Sequence, residues 1–146
     1  MKKILLVLIL AFSTLGFVHA QNNGMTPLME ASANNDLATV NKLLTAGAFV
    51  DAQDERGLTA LMFASLNGFP DIIQALIDGG AFINMTDKMA ESTALIWASS
   101  ADRLEAAKTL IKNKADKSIK DIHDKTALDY ARSDEMRKLL SPGPRI

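Results

Sequence analysis

The sequence predicts an all-α protein, a solenoid of about four stacked helix-turn-helix repeats with short hairpin tips, preceded by a signal peptide. Three observations carry this reading. A six-residue block that opens on threonine recurs at steps of 33, 34 and 33 residues. A Gly-Ala or Lys-Ala pair keeps the same phase, 21 residues after each of the first three threonines. Ahead of the first block, twenty residues have the pattern of an export address and not of a folded element.

Composition sets the outer limits. Of 146 residues, 48% are apolar and 23% charged, too apolar a chain for disorder. Cysteine is absent, which removes a disulfide framework, a thiolate metal site and a cysteine nucleophile. A formal charge of −1 argues against sequence-independent nucleic-acid binding, which needs a basic face to displace counterions from phosphate. The length suits one domain with a core of its own.

Met1-Lys2-Lys3 is a short positive start, Ile4 to Val18 is apolar except for Ser13, Thr14 and Gly16, and Val18-His19-Ala20 places small residues where a signal peptidase reads. Cleavage after Ala20 is expected. The alternative is an uncleaved anchor, but a membrane span needs about 20 apolar residues and this run is shorter and broken. The style of the signal is bacterial and points to the periplasm or the outside, and the absence of cysteine argues against a lipid-anchored form. The exported chain would run from Gln21; with 14 basic and 17 acidic side chains in 126 residues its formal charge is −3, and His123 is its only histidine.

The repeated block reads Thr26-Pro27-Leu28-Met29-Glu30-Ala31, Thr59-Ala60-Leu61-Met62-Phe63-Ala64, Thr93-Ala94-Leu95-Ile96-Trp97-Ala98 and Thr126-Ala127-Leu128-Asp129-Tyr130-Ala131. A fixed period of this length is the signature of a repeat array. Each threonine suits a helix N-cap, Pro27 and Pro70 suit first helical positions, and Gly47 and Gly80 suit helix ends. Apolar stripes at helical spacing follow each opening: Leu37, Val40, Leu43 and Leu44, then Ile72, Ile73, Leu76 and Ile77, then Leu104, Ala107, Leu110 and Ile111. Helices of about ten residues are marginal alone, so stacking must supply the stability, with Ala31, Ala64 and Ala98 letting neighbours approach. The extra residue of the 34-residue step is expected between Ala81 and Thr93, outside the helices. The fourth copy is four residues short and runs into Pro142-Gly143-Pro144, so it is expected to act as a closing cap with Arg132, Asp134, Glu135, Arg137 and Lys138 in water.

These four blocks, with Gly47-Ala48 and Gly80-Ala81 in phase, resemble the ankyrin repeat over roughly residues 24 to 140. Departures from the family pattern are Met29, Met62, Ile96 and Asp129 at its histidine, proline kept only at Pro27, and Lys114 at a glycine position, where a positive φ would cost about 1 kcal/mol. The expected organisation is a signal peptide over 1–20, a repeat domain over 21–140 (repeats about 24–56, 57–90 and 91–123, with 124–140 as cap) and a tail over 141–146.

Catalytic, cofactor and metal residues are not expected. His123 with Asp121 and Asp124 is a poor ligand set, and every triad would have to use that same histidine. No glycine-rich phosphate loop is present. Lys112, Lys114, Lys117 and Lys120 form a basic run that suits either an anionic partner or lipid headgroup, or, more simply, a helix C-terminus. Phe63, Trp97 and Tyr130 share one repeat position and suit core packing better than a ligand-stacking ladder. The resemblance implies a concave groove that grips a protein partner, lined by the tips Asp54–Leu58, Asp87–Ser92 and Asp121–Lys125. The partner-binding candidates are Arg56, Leu58, Leu66, Met89, Ile122 and His123, apolar side chains rimmed by charge. The expected protein is a monomeric, exported, non-enzymatic binding module without nucleic-acid partner, cofactor or stable membrane insertion. By resemblance its clients include a periplasmic stress enzyme or a toxin that it neutralises as an immunity factor. A membrane-tethered scaffold and an enzyme on this scaffold are the alternatives.

Overall fold

The computed structural model describes residues 23–143, and the expected signal peptide lies outside the described residues. Among the described residues there are eight helices: α1 (Pro27–Ala33), α2 (Leu37–Thr45), α3 (Ala60–Asn67), α4 (Pro70–Asp78), α5 (Ala94–Ser100), α6 (Leu104–Lys112), α7 (Ala127–Tyr130) and α8 (Asp134–Leu140). They form antiparallel pairs. The first helices α1, α3, α5 and α7 pack in one row and the second helices α2, α4, α6 and α8 in another. One isolated antiparallel bridge, Thr86 to Thr93, is the β-structure among the described residues.

The repeated threonines do the same work in three of the four layers. The Thr26, Thr59 and Thr93 hydroxyls each accept the amide three residues on, from Met29, Met62 and Ile96. In the cap, the Thr126 amide and hydroxyl both donate to the Asp129 carboxylate, so the acid at that departure from the repeat pattern closes a four-residue helix. In the first three pairs both helices end with a residue at positive φ. Asn35, Gly68 and Asp102 follow the first helices, and Gly47, Gly80 and Lys114 follow the second. After the second helices the next amide, of Ala48, Ala81 or Ala115, bonds five residues back, which closes the helix end. Lys114 at φ 68° therefore holds a conformation that costs about 1 kcal/mol relative to glycine.

The core is continuous across the layers. Leu28, Met29, Val40, Leu61, Met62, Ile72, Ile73, Leu76, Leu95, Ile96, Leu110, Met136 and Leu140 are buried, with Ala31, Ala64 and Ala98 between the first helices. Leu37 and Leu44 of the first stripe are half-buried, as Leu104, Ile77 and Ile111 are at the equivalent places further along; Leu43, whose equivalents Leu76 and Leu110 are buried, is half-buried in the first described layer. The charged residues named for the cap are all exposed. Polar ties run between layers: Arg103 Nε donates to the Leu66 carbonyl at 3.1 Å, and Ser133 Oγ to Asp102 at 2.7 Å.

A buried serine follows the small alanine in each of the first three repeats. Ser65 Oγ donates to the Leu61 carbonyl and Ser99 Oγ to the Ala127 carbonyl, but Ser32 Oγ has no hydrogen-bond partner. A buried hydroxyl without a partner costs folding free energy. Ser32→Ala is therefore expected to stabilise the protein by about 1 kcal/mol and to raise Tm by about 4 °C in a thermal melt, while Ser99→Ala, which strands the Ala127 carbonyl, lowers it.

Candidate functional site: the row of hairpin tips

Between one helix pair and the next the chain turns through a hairpin tip, and each tip is built on a buried aspartate. Asp54, Asp87 and Asp121 occupy one repeat position and all three are buried. Asp54 accepts the amides of Arg56 at 3.0 Å and Leu58 at 2.8 Å. Asp87 accepts those of Met89 and Ala90, both at 2.8 Å, and of Ser92 at 3.2 Å. Asp121 accepts those of His123 at 2.8 Å and Lys125 at 3.1 Å. The steps from aspartate to the following threonine show where the extra residue went: it sits in the tip between Asp87 and Thr93.

A buried carboxylate needs compensating polar partners, and each tip finds an additional one. Trp97 Nε1 donates to Asp87 at 3.1 Å, and the Tyr130 hydroxyl donates to Asp121. Phe63 holds the same place in the second block and has no donor. There Arg56 folds back onto Asp54, with Nε at 3.0 Å and Nη2 at 2.9 Å, and its guanidinium lies 5.8 Å from the centre of the Phe63 ring. The three aromatics pack against the core, as their repeat position predicts. In two of three cases they also brace a tip, a role that composition and spacing did not reveal.

Adjacent tips are joined by backbone bonds. The Glu55 amide donates to the Asn23 carbonyl at 3.2 Å, that of Lys88 to Arg56 at 3.0 Å, and that of Ile122 to Ala90 at 3.0 Å. The tips therefore form one continuous, hydrogen-bonded row. Gly57 lies within it at φ 81°, and a Cβ placed there would stand 2.5 Å from the Lys88 backbone nitrogen.

The candidate contact residues separate on this framework. Met89 is 66% exposed and Ile122 53%, on tips bonded to each other. His123 is exposed beside them. Arg56 is half-exposed and engaged by Asp54. Leu66 is half-buried at the end of α3, away from the tips, where its carbonyl receives Arg103. Leu58, expected among the exposed apolar residues, is a correction: it is 9% exposed and part of the core. Its amide is drawn to Asp54 and its carbonyl accepts the Asp54 amide, and this closure turns the side chain under its own hairpin.

A cavity of about 230 Å³ opens between the last two layers, with Ile96, Trp97, Ser100, His123 and Tyr130 among its walls. The polar ends of Trp97 and Tyr130 are spent on the aspartates, so the rings offer carbon surface. Among the described residues no group of three or more His, Asp or Glu side chains is placed to hold a metal ion.

The electrostatics of the last tip have a measurable consequence. Burial is the largest influence on Asp121 and raises its pKa, but the bonds from Tyr130, Lys125 and His123, helped by the His123 charge, together outweigh it and hold the carboxyl below its ordinary 3.8. The same bond, followed by burial and the neighbouring carboxylates, raises the Tyr130 phenol above its ordinary 10.0. A depressed carboxylate stabilises the fold at pH above its unfolded value, and that contribution disappears as pH falls through the folded value. A raised phenol contributes below pH 10.0 and loses its effect above it. Tyr130→Phe is thus expected to lower Tm at neutral pH. The gap from the parent protein should close as pH falls well below 3.8, read as Tm against pH for both proteins.

The family model for ankyrin repeats matches the chain in three overlapping copies, over residues 2–87, 28–121 and 61–146. No curated protein matches the chain. The match agrees with the paired helices, the threonine caps and the bonded row of tips, and the chain belongs to the ankyrin-repeat family.

Proposed function

We propose that this chain is an exported, non-enzymatic module that holds a protein partner across its hairpin tips. Ankyrin repeats are generally protein–protein interaction modules. The observation that carries the reading here is the pair Met89 and Ile122, exposed on tips that buried aspartates brace and a backbone bond joins. A surface fixed before binding loses little conformational entropy on binding. Exposed apolar side chains beside a cavity walled by aromatic carbon supply the area to bury, and His123, Lys88 and Lys125 supply a polar rim. Asp121, the acid of this cavity, has its oxygens occupied by the tip and by Tyr130, which suits a structural role better than proton transfer. A periplasmic stress enzyme or a toxin neutralised by the module are the client classes this reading favours.

Met89→Asp with Ile122→Asp tests it. The double variant should keep its Tm, because both side chains are exposed, and should lose at least roughly tenfold in affinity for the protein captured by the parent chain. Undiminished capture by the variant rejects the tips as the contact surface. Export rests on the pattern from Met1 to Ala20. A mass for the protein from its own cells that begins at Gln21 supports it, and one that retains Met1 favours the tethered scaffold.

A further inference from the structure

Two phenylalanines remain outside every role described above. Phe49 is 74% exposed and Phe82 71%. They hold the same place in successive repeats, two residues after Gly47 and Gly80, at the root of the hairpin and not its tip. Successive roots are tied together: Asp51 accepts the Phe82 amide at 3.0 Å, and Asn84 accepts the Asp116 amide at 2.9 Å. The two rings thus stand on one edge of the array. The packing does not demand them, since the third repeat carries Asp116 at that place.

Charge along the same edge is one-sided. In the equivalent stretches 42–50, 75–83 and 109–117 the charged side chains are Lys42, Asp78, Lys112, Lys114, Asp116 and Lys117, four cations against two carboxylates. The whole chain, by contrast, has a formal charge of −1. Both carboxylates already accept internal bonds, Asp78 from Gln74 and Asp116 from Ser118. Lys42, Lys112 and Lys114 are exposed, and none of them enters an ion pair among the described residues. Cations near helix C-termini are favourable in themselves, which accounts for Lys42 and Lys112. It does not account for the rings, or for lysine at φ 68° where the other two repeats have glycine.

Aromatic side chains beside unpaired lysines are the combination that holds a protein on an anionic lipid surface, the rings entering the headgroup boundary and the ammonium groups facing phosphate. We infer that this edge is a peripheral contact for anionic membrane lipid, made by Phe49 and Phe82 with Lys112 and Lys114. The contact lies on the surface and needs no spanning element; among the described residues no helix is long and apolar enough to cross a membrane. It uses none of the tip residues, so it stands or falls independently of the protein-partner reading.

Sedimentation with vesicles tests it, using the protein in the form recovered from the producing cell. One vesicle set contains phosphatidylglycerol mixed with phosphatidylcholine, the other phosphatidylcholine alone. The parent protein should bind the anionic set, and less so as salt rises. F49S/F82S should weaken that binding roughly tenfold, and K112S/K114S should weaken it on the anionic set only. F49S/F82S alters exposed positions and should melt with the parent, while K112S/K114S, which removes a cation from the last turn of α6, should melt only slightly below it. Absence of binding to the anionic vesicles, or equal binding by the parent and F49S/F82S, overturns the inference. A concentration-dependent dimer that F49S/F82S abolishes, without vesicle binding, assigns the rings to a second copy and overturns it as well.

Discussion

Asp87→Ala is expected to lower stability by about 3 kcal/mol, a fall in Tm of about 10 °C. The side chain is buried and accepts four bonds, from the amides of Met89, Ala90 and Ser92 and from Trp97 Nε1. Alanine leaves these donors without their acceptor, and water can reach only those at the outer face of the tip. A hydrogen bond to a charged group contributes about 1.5–3 kcal/mol, but the four share one carboxylate and their losses do not add. Asp87→Asn should fall between parent and alanine, because its amide nitrogen cannot accept from the donors it faces. Hydrogen exchange supplies the local readout: the amides of Met89, Ala90 and Ser92 should lose protection in Asp87→Ala, while those of α1 and α2 keep it. Since Met89 rides on this tip, partner capture should weaken together with the melt. A variant that melts within 1 °C of the parent would show that the tip is held by other means.

Gly57→Ala is expected to have a comparable effect through the backbone. At φ 81° alanine costs about 1 kcal/mol before any contact is counted. Its Cβ would also stand 2.5 Å from the Lys88 nitrogen, so the second tip must move away and give up the bond from Lys88 to the Arg56 carbonyl. Together these amount to about 3 kcal/mol. Gly80→Ala is the control. It has φ 93° and nothing within 4 Å of the added carbon, so it should cost only about 1 kcal/mol. Equal melts for the two variants would show that the close approach of the tips does not matter.

The residues that define the layers are legible in the sequence because they act locally. A threonine followed three residues on by an amide caps its own helix, and a glycine after a helix closes that helix, whatever lies beyond. Phase then follows from repetition, and four blocks in step place helix pairs in layers. The bracing aspartates are also periodic, yet their spacing alone does not distinguish a tip staple from a solvated acid. The exchange of Trp97 and Tyr130 for Arg56 with Phe63 makes sense only once the carboxylate that all three serve is known to be buried.

Apolar character alone did not decide exposure. Leu58, in a charged tip, is drawn inward by the closure on Asp54, whereas Phe49 and Phe82, among the most apolar side chains of the chain, stand in the open. Hydrophobicity tells which groups lose by contact with water, but not which of them the backbone has room to cover. The sequence by itself determined the period, the threonine starts of the first helices, the glycine ends of two second helices and the small residues that let layers approach, because the caps follow from bonds spanning three to five residues; the helices themselves are shorter than the roughly ten residues expected. Only the tertiary structure decided which side chains line the tips, which are spent bracing them and which remain uncovered. Those outcomes depend on contacts between residues about 32 positions apart, such as Arg56 with Lys88 and Ala90 with Ile122, which exist only after neighbouring layers have docked.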